Sequence, residues 1–254
     1  MEISIEQAAG ICTIRFNRPE KKNAITGAMY QTMADALLAA EADQAVRVIL
    51  FAGLPNIFTA GNDLEDFLKQ PPQGENSSVF QFMAALKGAA KPVVAAVCGA
   101  AVGIGTTMLL HCDLVYAADN AKFSMPFSQL GLCPEFSSSL LLQRVAGYQR
   151  AAEKLMLGEP FLADEALAMG LINRVLPVDD LPAYAQAQAA KLAALPASSV
   201  RTTKQLMKRG AVQEIDAQMM EEGAHFRRML SAPEAKEAFT AFFEKRKPDF
   251  SRFS

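Results

Sequence analysis

The feature that most constrains the fold is a continuous apolar run that passes directly into a glycine-rich segment. Residues 93–98 read VVAAVC, and residues 99–107 read GAAVGIGTT. An apolar run of this length without polar alternation is typical of a strand that is covered on both faces, as in a parallel sheet between helices. Residues 46–51 (VRVILF) are β-branched and alternating, and they predict a second strand. The chain is therefore expected to build on a buried sheet.

The N-terminal part of the chain repeats strands and helices. Residues 3–5 and 11–16 alternate between apolar and polar side chains and predict a β-hairpin. A helix is expected from Thr26, whose hydroxyl can cap it, to about residue 41. Shorter helices are expected near residues 63–69 and 79–88, and residues 71–78 (PPQGENSS) read as a linker-like surface loop. Repetition of two strands and a helix predicts a layered α/β fold.

Beyond about residue 196 the pattern becomes helical, which divides the chain into a core region, 1–195, and a helical region, 196–254. Helical spacing covers residues 196–210, 214–230 and 233–247. The last of these begins with Ser231-Ala232-Pro233-Glu234, a capping-box arrangement. Its phenylalanines, with Phe250 and Phe253 beyond them, can pack against the chain's own core or against another subunit, and the pattern favours neither.

Composition excludes several classes of function. The chain of 254 residues has a formal net charge of −2 with 20% charged residues, so no global positive field attracts nucleic acid or an anionic membrane. Its apolar stretches are shorter than the roughly 18 residues of a membrane span. The four cysteines are scattered without a CxxC pair, and MEISIEQ lacks a basic stretch followed by an apolar one. A cytoplasmic location is expected. His111 and His225 lack metal-ligand spacing, so no metal site is predicted.

Two loops that begin helices could carry chemistry. In FTAGNDL at residues 58–64, Gly61 allows close backbone approach and Asp63 can cap the helix that follows. Such a turn can offer N–H groups to an anion or a carbonyl oxygen, or it can simply be a capped helix start. The glycines of GAAVGIGTT again leave bare backbone beside a helix start, with a second free amide at Ile104. A dinucleotide fingerprint does not fit, because Met108 stands where its third glycine would be.

Glu135 is the third candidate, in the segment GLCPEFSSSLL at residues 131–141. Pro134 and the serines that follow indicate the start of a helix, where a carboxylate interacts favourably with the helix dipole. A capping role is one interpretation. The other is a proton carrier, because the apolar neighbours Leu130, Leu132 and Phe136 would raise the pKa of a partly desolvated carboxyl.

Six segments, in order along the chain, together carry a resemblance: NRPEKKNA at 17–24, FTAGNDL at 58–64, GAAVGIGTT at 99–107, CDLVYA at 112–117, AMGLIN at 168–173 and FEKRKPDF at 243–250. Along essentially its whole length the sequence resembles the crotonase, or enoyl-CoA hydratase/isomerase, superfamily. The resemblance implies a crotonase-like spiral of ββα turns and a C-terminal helical trimerisation region, with trimers often paired into hexamers. It implies an acyl-CoA thioester as substrate and no separate cofactor, because coenzyme A is part of the substrate.

The resemblance gives the two loops a joint role. In the family, one backbone amide from each loop binds the thioester oxygen, and the matching positions are Asn62 and Ile104. Amides held in place before reaction stabilise the enolate, and losing one such donor raises the barrier by ~3 kcal/mol. The resemblance also places a set of residues against the substrate and its coenzyme A: Lys22, Ala24, Ala60, Gly61, Asn62, Asp63, Leu64, Gly103 and Lys245.

The acid and base residues distinguish the reactions of the family. Hydratases use two glutamates, and this sequence has Thr107 and Phe127 at those places. The segment around Glu135 resembles the peroxisomal-type Δ3,Δ2-enoyl-CoA isomerase branch, in which the matching glutamate is the catalytic base. Phe136 departs from the small residue that commonly follows, which could narrow the acyl pocket. The resemblance thus favours an isomerase that moves a double bond with one carboxylate.

Two alternatives remain open from the sequence. A hydratase or another crotonase-type lyase could recruit a different acid, such as Glu65 or Asp66. A protein of another class could bind acyl-CoA without catalysis, or bind RNA through a basic helix face at Lys204, Lys208 and Arg209, although the near-neutral net charge argues against RNA.

Overall fold

The computed structural model describes residues 1–69, 74 and 76–253. Its strands are β1 Ile3–Ala8, β2 Ile11–Phe16, β3 Val48–Ala52, β4 Ile57–Thr59, β5 Val93–Val97, β6 Ala100–Val102, β7 Leu114–Ala118, β8 Lys122–Ser124, β9 Phe161–Leu162 and β10 Arg174–Leu176. Its α-helices are α1 Gly27–Ala42, α2 Leu64–Lys69, α3 Ser78–Gly88, α4 Ile104–Thr107, α5 Ser138–Ala146, α6 Tyr148–Ala152, α7 Ala163–Met169, α8 Leu181–Ala194, α9 Ala197–Arg209, α10 Val212–Leu230 and α11 Pro233–Phe243.

Strands alternate between two sheets along the chain. One sheet has the order β1-β2-β3-β5-β7-β10 and the other has the order β4-β6-β8-β9. Successive pairs, β3 with β4, β5 with β6 and β7 with β8, each give their first strand to the larger sheet and their second to the smaller one. Neighbours from β2 to β10 in the larger sheet are parallel. The repeated advance from pair to pair is the predicted spiral of ββα turns.

Burial on both faces explains the apolar runs of the central strands. Every residue of β3 and β5 is buried. One face of the sheet packs against α8, whose Ala185, Ala189 and Ala193 recur at four-residue spacing and allow close approach. The other face joins a larger core that includes α1 and α3. The continuous run in the sequence was therefore correctly interpreted as a doubly covered strand.

Most predicted elements of the core region are confirmed. β1 and β2 form the antiparallel hairpin, and the Thr26 hydroxyl accepts the Met29 N–H at the start of α1. Of the linker-like segment at residues 71–78, residues 71–73 and 75 lie outside the described residues, whereas Ser77 caps α3 and Ser78 is its first residue. The glycine-rich segment leads into a helix of only one turn, α4, and a 3-10 turn at 108–111 completes it.

The C-terminal region differs from its prediction in two details. α10 and α11 follow closely, but α11 ends at Phe243 rather than at residue 247, because Lys245 adopts φ +56° and Arg246 N–H returns to the Ala241 carbonyl. This is a left-handed helix terminus, and the following proline disfavours further helix. The capping box is wrong, since Ser231 ends α10 and no side chain caps the start of α11.

Aromatic residues of the last helix divide between interior and surface. Phe239 is buried in the chain's own core, which supports docking for this residue. Phe242 and Phe243 are 59% and 46% exposed. Packing against the chain's own core is therefore confirmed for Phe239, whereas a subunit contact of Phe242 and Phe243 stays a prediction.

The basic surface considered on α9 does not include Lys204, which is buried. Lys204 is buried, donates to the Lys91 carbonyl at 2.8 Å and pairs with Asp113 at 2.7 Å. Lys208 donates to the His111 carbonyl at 3.2 Å. Both lysines tie α9 to the segments beside the main sheet, and the burial of Lys204 removes this residue from any RNA-binding surface. Among the described residues, the helices are too short or too polar to cross a membrane.

Gly99 gives a direct test of a close contact between the turn that joins β5 to β6 and the turn that joins β3 to β4. It adopts φ +63°, and a Cβ there would lie 1.9 Å from the Asn56 carbonyl oxygen. We expect Gly99→Ala to reduce the free energy of unfolding by at least about 2 kcal/mol more than Gly147→Ala, measured by urea denaturation. Gly147 is the matched control, because it has φ +82° but no atom within 4 Å of its Cβ position. Equal losses in the two variants would contradict the steric argument.

Candidate active site

The two glycine-containing loops meet to form a groove of about 510 Å³. A Cβ on Gly61, which has φ +85°, would lie 2.7 Å from the Val102 carbonyl oxygen, and one on Gly105 would lie 2.5 Å from Thr59 Cγ2. Only glycine permits this approach. Nine sequence-predicted residues line the groove: Lys22, Ala24, Ala60, Gly61, Asn62, Asp63, Leu64, Gly103 and Ile104.

Asn62 and Ile104, whose backbone amides are the predicted donors, both line this groove. Bonds from Ile25 N–H to the Gly61 carbonyl and from Asp63 N–H to the Ile25 carbonyl fix the backbone on either side of Asn62. Ile104 is the first residue of α4, so its N–H has no acceptor within that helix. Neither N–H has a backbone or side-chain acceptor within the part of the chain that the structure describes. An oxygen bound between such donors would be stabilised as negative charge develops on it.

Side chains remote in sequence support the first loop. Tyr30 Oη, from α1, donates to Asn62 Oδ1 at 2.5 Å. Asn23 is fully buried and donates to the Phe58 carbonyl at 3.0 Å, which attaches the segment before α1 to β4. Sequence reasoning missed both residues as site supports. Asn23 belongs to the NRPEKKNA segment, but a tyrosine within a helix gives no local signal of this role.

Asp63 is a structural residue of the groove wall. Its Oδ1 accepts the Glu65 and Asp66 N–H groups at 3.1 and 3.2 Å, which confirms the predicted helix cap. Its Oδ2 pairs with Arg18 at 2.7 Å. Burial raises the pKa of Asp63, but the hydrogen bond from Arg18 and those at the cap outweigh burial and leave this pKa below its usual value. Asp63 therefore remains an anion that holds the loop.

Glu135 is a carboxyl removed from water. It is 8% exposed, and its Oε1 has no hydrogen-bond partner among the described residues. The Thr107 hydroxyl lies beside it and is likewise buried. Burial raises the pKa of Glu135 to about 8, with a further contribution from the negative charge of Glu222, whereas the Thr107 hydroxyl favours the ionised form and acts to lower this pKa. Such a carboxyl can accept and return a proton near neutral pH.

The capping interpretation of Glu135 is wrong. The carboxylate of Glu222, from α10, accepts the N–H groups of Ser137 and Ser139 at the start of α5. Glu222 thus occupies the cap that the sequence offered to Glu135. Glu222 was missed because nothing near it in the sequence indicates that it lies against α5.

A pair of phenylalanines stands between Glu135 and the groove. Glu135 lines a small cavity of about 30 Å³, and Phe67 and Phe226 line both this cavity and the groove. Their rings are edge to face with centroids 6.3 Å apart. The structure therefore brings Glu135 and the two amides into neighbouring spaces rather than into one open groove. Thr107 connects them along the chain, since it lies three residues after Ile104 and contacts the surroundings of Glu135.

Phe136, the residue after Glu135, packs against His111. Phe136 is buried and stacks on His111 with ring centroids 3.8 Å apart, so it contributes mainly to the core, although it also lines the small cavity. His111 Nε2 lies 2.8 Å from the Phe136 carbonyl, and burial lowers the pKa of His111 to about 4. His111 is therefore a buried residue of the core that is uncharged near neutral pH.

Other candidates fall at the edge of the groove or outside it. Phe127 lines the groove, as does the exposed Glu65. Asp66 accepts the Gly27 N–H at 2.7 Å, so its carboxylate already has a structural partner. Lys245 is exposed beyond α11 and does not line the groove. Within the described ranges, no three histidine, cysteine or acidic side chains cluster as metal ligands would.

Comparisons with known proteins support the fold described above. A family model described as enoyl-CoA hydratase/isomerase matches residues 6–252. Enoyl-CoA delta isomerase 2 of Rattus norvegicus is 36% identical over 96% of this chain, which spans only 64% of that relative's length. The 2,3-dehydroadipyl-CoA hydratase of Escherichia coli is 30% identical over 98% of both chains. A crystal structure of an enoyl-CoA hydratase/isomerase from Pseudoalteromonas atlantica has a TM-score of 0.94 and 39% identity, covering 99% of this chain and 100% of that one.

Burial of Glu135 predicts a stability gain when its charge is removed. The folded-state pKa, about 8, lies above the ordinary value of 4.5, so the folded protein holds an extra proton between these values and wild-type stability falls as pH rises through that window. Glu135→Gln should match wild type near pH 4 and exceed it at pH 9 by on the order of 3 kcal/mol, measured by urea unfolding. The control Glu221→Gln removes an exposed carboxylate from α10. A difference that does not grow with pH would contradict the buried, neutral carboxyl.

Proposed function

Because the chain belongs to the enoyl-CoA hydratase/isomerase family, we propose that it is an enoyl-CoA isomerase that moves a double bond from C3 to C2 of an acyl-CoA thioester. The observation that carries the proposal is Glu135, a single desolvated carboxyl with an unpartnered oxygen, buried beside the groove that holds the two free amides. The match to enoyl-CoA delta isomerase 2 supports it.

In the proposed reaction, Phe67 and Phe226 move apart to admit the acyl chain, and Glu135 as a carboxylate then removes a proton from C2. The electrons of that C–H bond form a C1–C2 enolate, whose charge lies on the thioester oxygen between the Asn62 and Ile104 amides. Collapse of this dienolate forms the C2–C3 double bond, while the former C3–C4 double bond takes the proton back from Glu135 at C4. One proton leaves and one returns, so a single carboxyl suffices.

The chemistry of the neighbouring side chains favours isomerisation over hydration. Adding water to a double bond requires one group to activate the water and another to protonate carbon. Thr107 and Phe127 stand where the resemblance places the two hydratase glutamates, and neither can exchange a proton near neutral pH. A raised pKa also suits a group that must both take and return a proton.

Hydration remains the second candidate because of Glu65. This residue is exposed and lines the groove, so its carboxylate could act on a substrate there. The relatives include a protein described as a hydratase. Asp66, by contrast, already accepts the Gly27 N–H.

The proposal extends to partners and location. Acyl-CoA would occupy the groove, with Lys22 at the mouth available to its phosphates and Lys245 retained as a second candidate from a neighbouring copy or a moved C-terminus. A homotrimer, or a hexamer of two trimers, built through the region 196–254 remains a prediction, with the exposed Phe242 and Phe243 as candidate contacts. A cytoplasmic location also remains a prediction.

The assay that tests the function compares a 3-enoyl-CoA with a 2-enoyl-CoA. We expect the wild type to convert the 3-enoyl thioester to its 2-enoyl isomer with little hydration, and Glu135→Gln to lower kcat by on the order of 10³-fold. Rapid hydration with negligible isomerisation would reject the assignment. Loss of that hydration in Glu65→Gln would then identify the alternative acid, and unchanged reactions in Glu135→Gln with retained CoA binding would indicate a different role for the site.

The pH dependence of isomerisation follows from the raised pKa of Glu135, about 8. Only the carboxylate form can remove the C2 proton, so kcat/KM should fall about tenfold per pH unit below that value and level off above it. Rate measurements from pH 5.5 to 9.5 test this. A plateau that extends down to pH 6 would contradict a desolvated base in the free enzyme.

A further inference from the structure

We propose that Glu222 is a positioning residue for Glu135: its carboxylate holds the strained turn that follows Glu135 and supplies the nearest fixed negative charge. Glu222 lies on α10, 87 positions later in the chain. The inference rests on the proposed function, because it treats Glu135 as the base. It adds a residue from the C-terminal helical region to the machinery of the site.

The contacts of Glu222 are complete on both oxygens. Oε2 accepts Ser137 N–H at 2.5 Å, and Oε1 accepts Ser139 N–H at 3.0 Å and Ser139 Oγ at 2.5 Å. Gln218, one turn earlier on α10, donates to the same Ser139 Oγ at 2.9 Å. Glu222 is 5% exposed. An ionised carboxylate is an acceptor only, so three donors converging on it favour the charged form.

The turn that Glu222 holds is conformationally strained. Phe136 and Ser137, the two residues after Glu135, have φ +57° and +56°, which L-residues rarely adopt in succession. Such a turn persists only where its surroundings fix it. Besides Glu222, these are the bond from Ser138 N–H to the Glu135 carbonyl at 3.0 Å, the bond from Ser137 Oγ to the Ile215 carbonyl at 2.8 Å and the contact of His111 with the Phe136 carbonyl. Glu222 and Ile215 both lie on α10, so α10 helps to fix the backbone that carries Glu135.

Charge acts on Glu135 in addition to the restraint of the turn. Tyr30 from α1, Thr107 from α4 and Glu222 from α10 face Glu135, and Arg227 from α10 lines the same small cavity. Burial raises the pKa of Glu222, and its hydrogen bonds from Ser139 and Ser137 act in the opposite direction. Because Glu222 has three donors and Glu135 Oε1 has none in the described chain, the negative charge of the pair resides on Glu222. That charge disfavours ionisation of Glu135.

Two variants separate charge from reach. Glu222→Gln keeps the shape but removes the charge and one acceptor, so kcat should fall on the order of tenfold while KM for the thioester changes less than about twofold, because other loops build the groove. The acidic limb of the pH profile should shift down by about one unit. Glu222→Asp keeps the charge but shortens the side chain, so kcat should fall without that downward shift. Glu221→Gln, an exposed neighbour on α10, is the control and should match wild type.

A second readout does not depend on the reaction. The protonation of Glu135 can be followed by infrared difference spectra between each protein and its Glu135→Gln counterpart as pH is varied. If the proposed function fails but Glu222 acts as described, this titration still moves to lower pH in Glu222→Gln. If Glu222 acts only as a helix cap, Glu222→Gln lowers Tm but leaves the titration of Glu135 and kcat equal to those of the Glu221→Gln control. That result would overturn the proposal.

Ser139→Ala covers the case in which variants of Glu222 do not fold. It removes one of three donors to Glu222 and leaves both carboxyls in place. Weaker restraint of the turn should lower kcat severalfold with KM unchanged and restore none of it at higher pH. Wild-type kcat in this variant would contradict the positioning role.

Discussion

A carboxyl group that leaves water without gaining a hydrogen-bond donor becomes a weak acid, and the site depends on this property of Glu135. Its Oε1 has no partner in the described part of the chain, and burial raises its pKa to about 8. The fold must stabilise this unfavourable arrangement elsewhere. Glu135 is uncharged while it is protonated, and Glu222 makes the hydrogen bonds that stabilise the adjacent turn. A higher pKa of Glu135 therefore comes with a lower free energy of unfolding at pH values where this carboxyl must ionise.

Backbone geometry supplies the complementary half of the site. Two loops, one from each of two successive ββα turns, approach so closely that Gly61 and Gly105 admit no Cβ. The amides of Asn62 and Ile104 are held by the spiral itself rather than by flexible side chains. Preorganised donors of this kind need no rearrangement when charge develops on a bound oxygen. Since the backbone provides the donors, the side chains at these positions can make other contacts, as Asn62 does by accepting a hydrogen bond from Tyr30.

The C-terminal helices are part of the site and not only an appendage. α10 supplies Glu222 to the turn after Glu135 and Phe226 to the wall between the groove and the small cavity. α9 is anchored through the buried Lys204. A perturbation of these helices would therefore reach the carboxyl through the strained turn at Phe136 and Ser137. This link connects the C-terminal region, which the resemblance assigns to assembly, to the position of Glu135.

The sequence by itself determined what local chemistry controls. Alternation predicted the hairpin and the Thr26 hydroxyl predicted the start of α1, and both are confirmed. The resemblance predicted Asn62, Ile104 and Glu135 as site residues, and their roles stay a prediction. Only the tertiary structure decided which side chain accepts the free N–H groups at the start of α5, because Ser137 and Glu222 are 85 positions apart. The residues around Glu222 do not differ in pattern from those around a solvent-exposed glutamate on a helix. The burial of Lys204 and the phenylalanine wall were decided in the same way. Sequence periodicity indicates which face of a helix is apolar. It does not indicate which distant side chains contact that face, because those contacts form only when the chain folds.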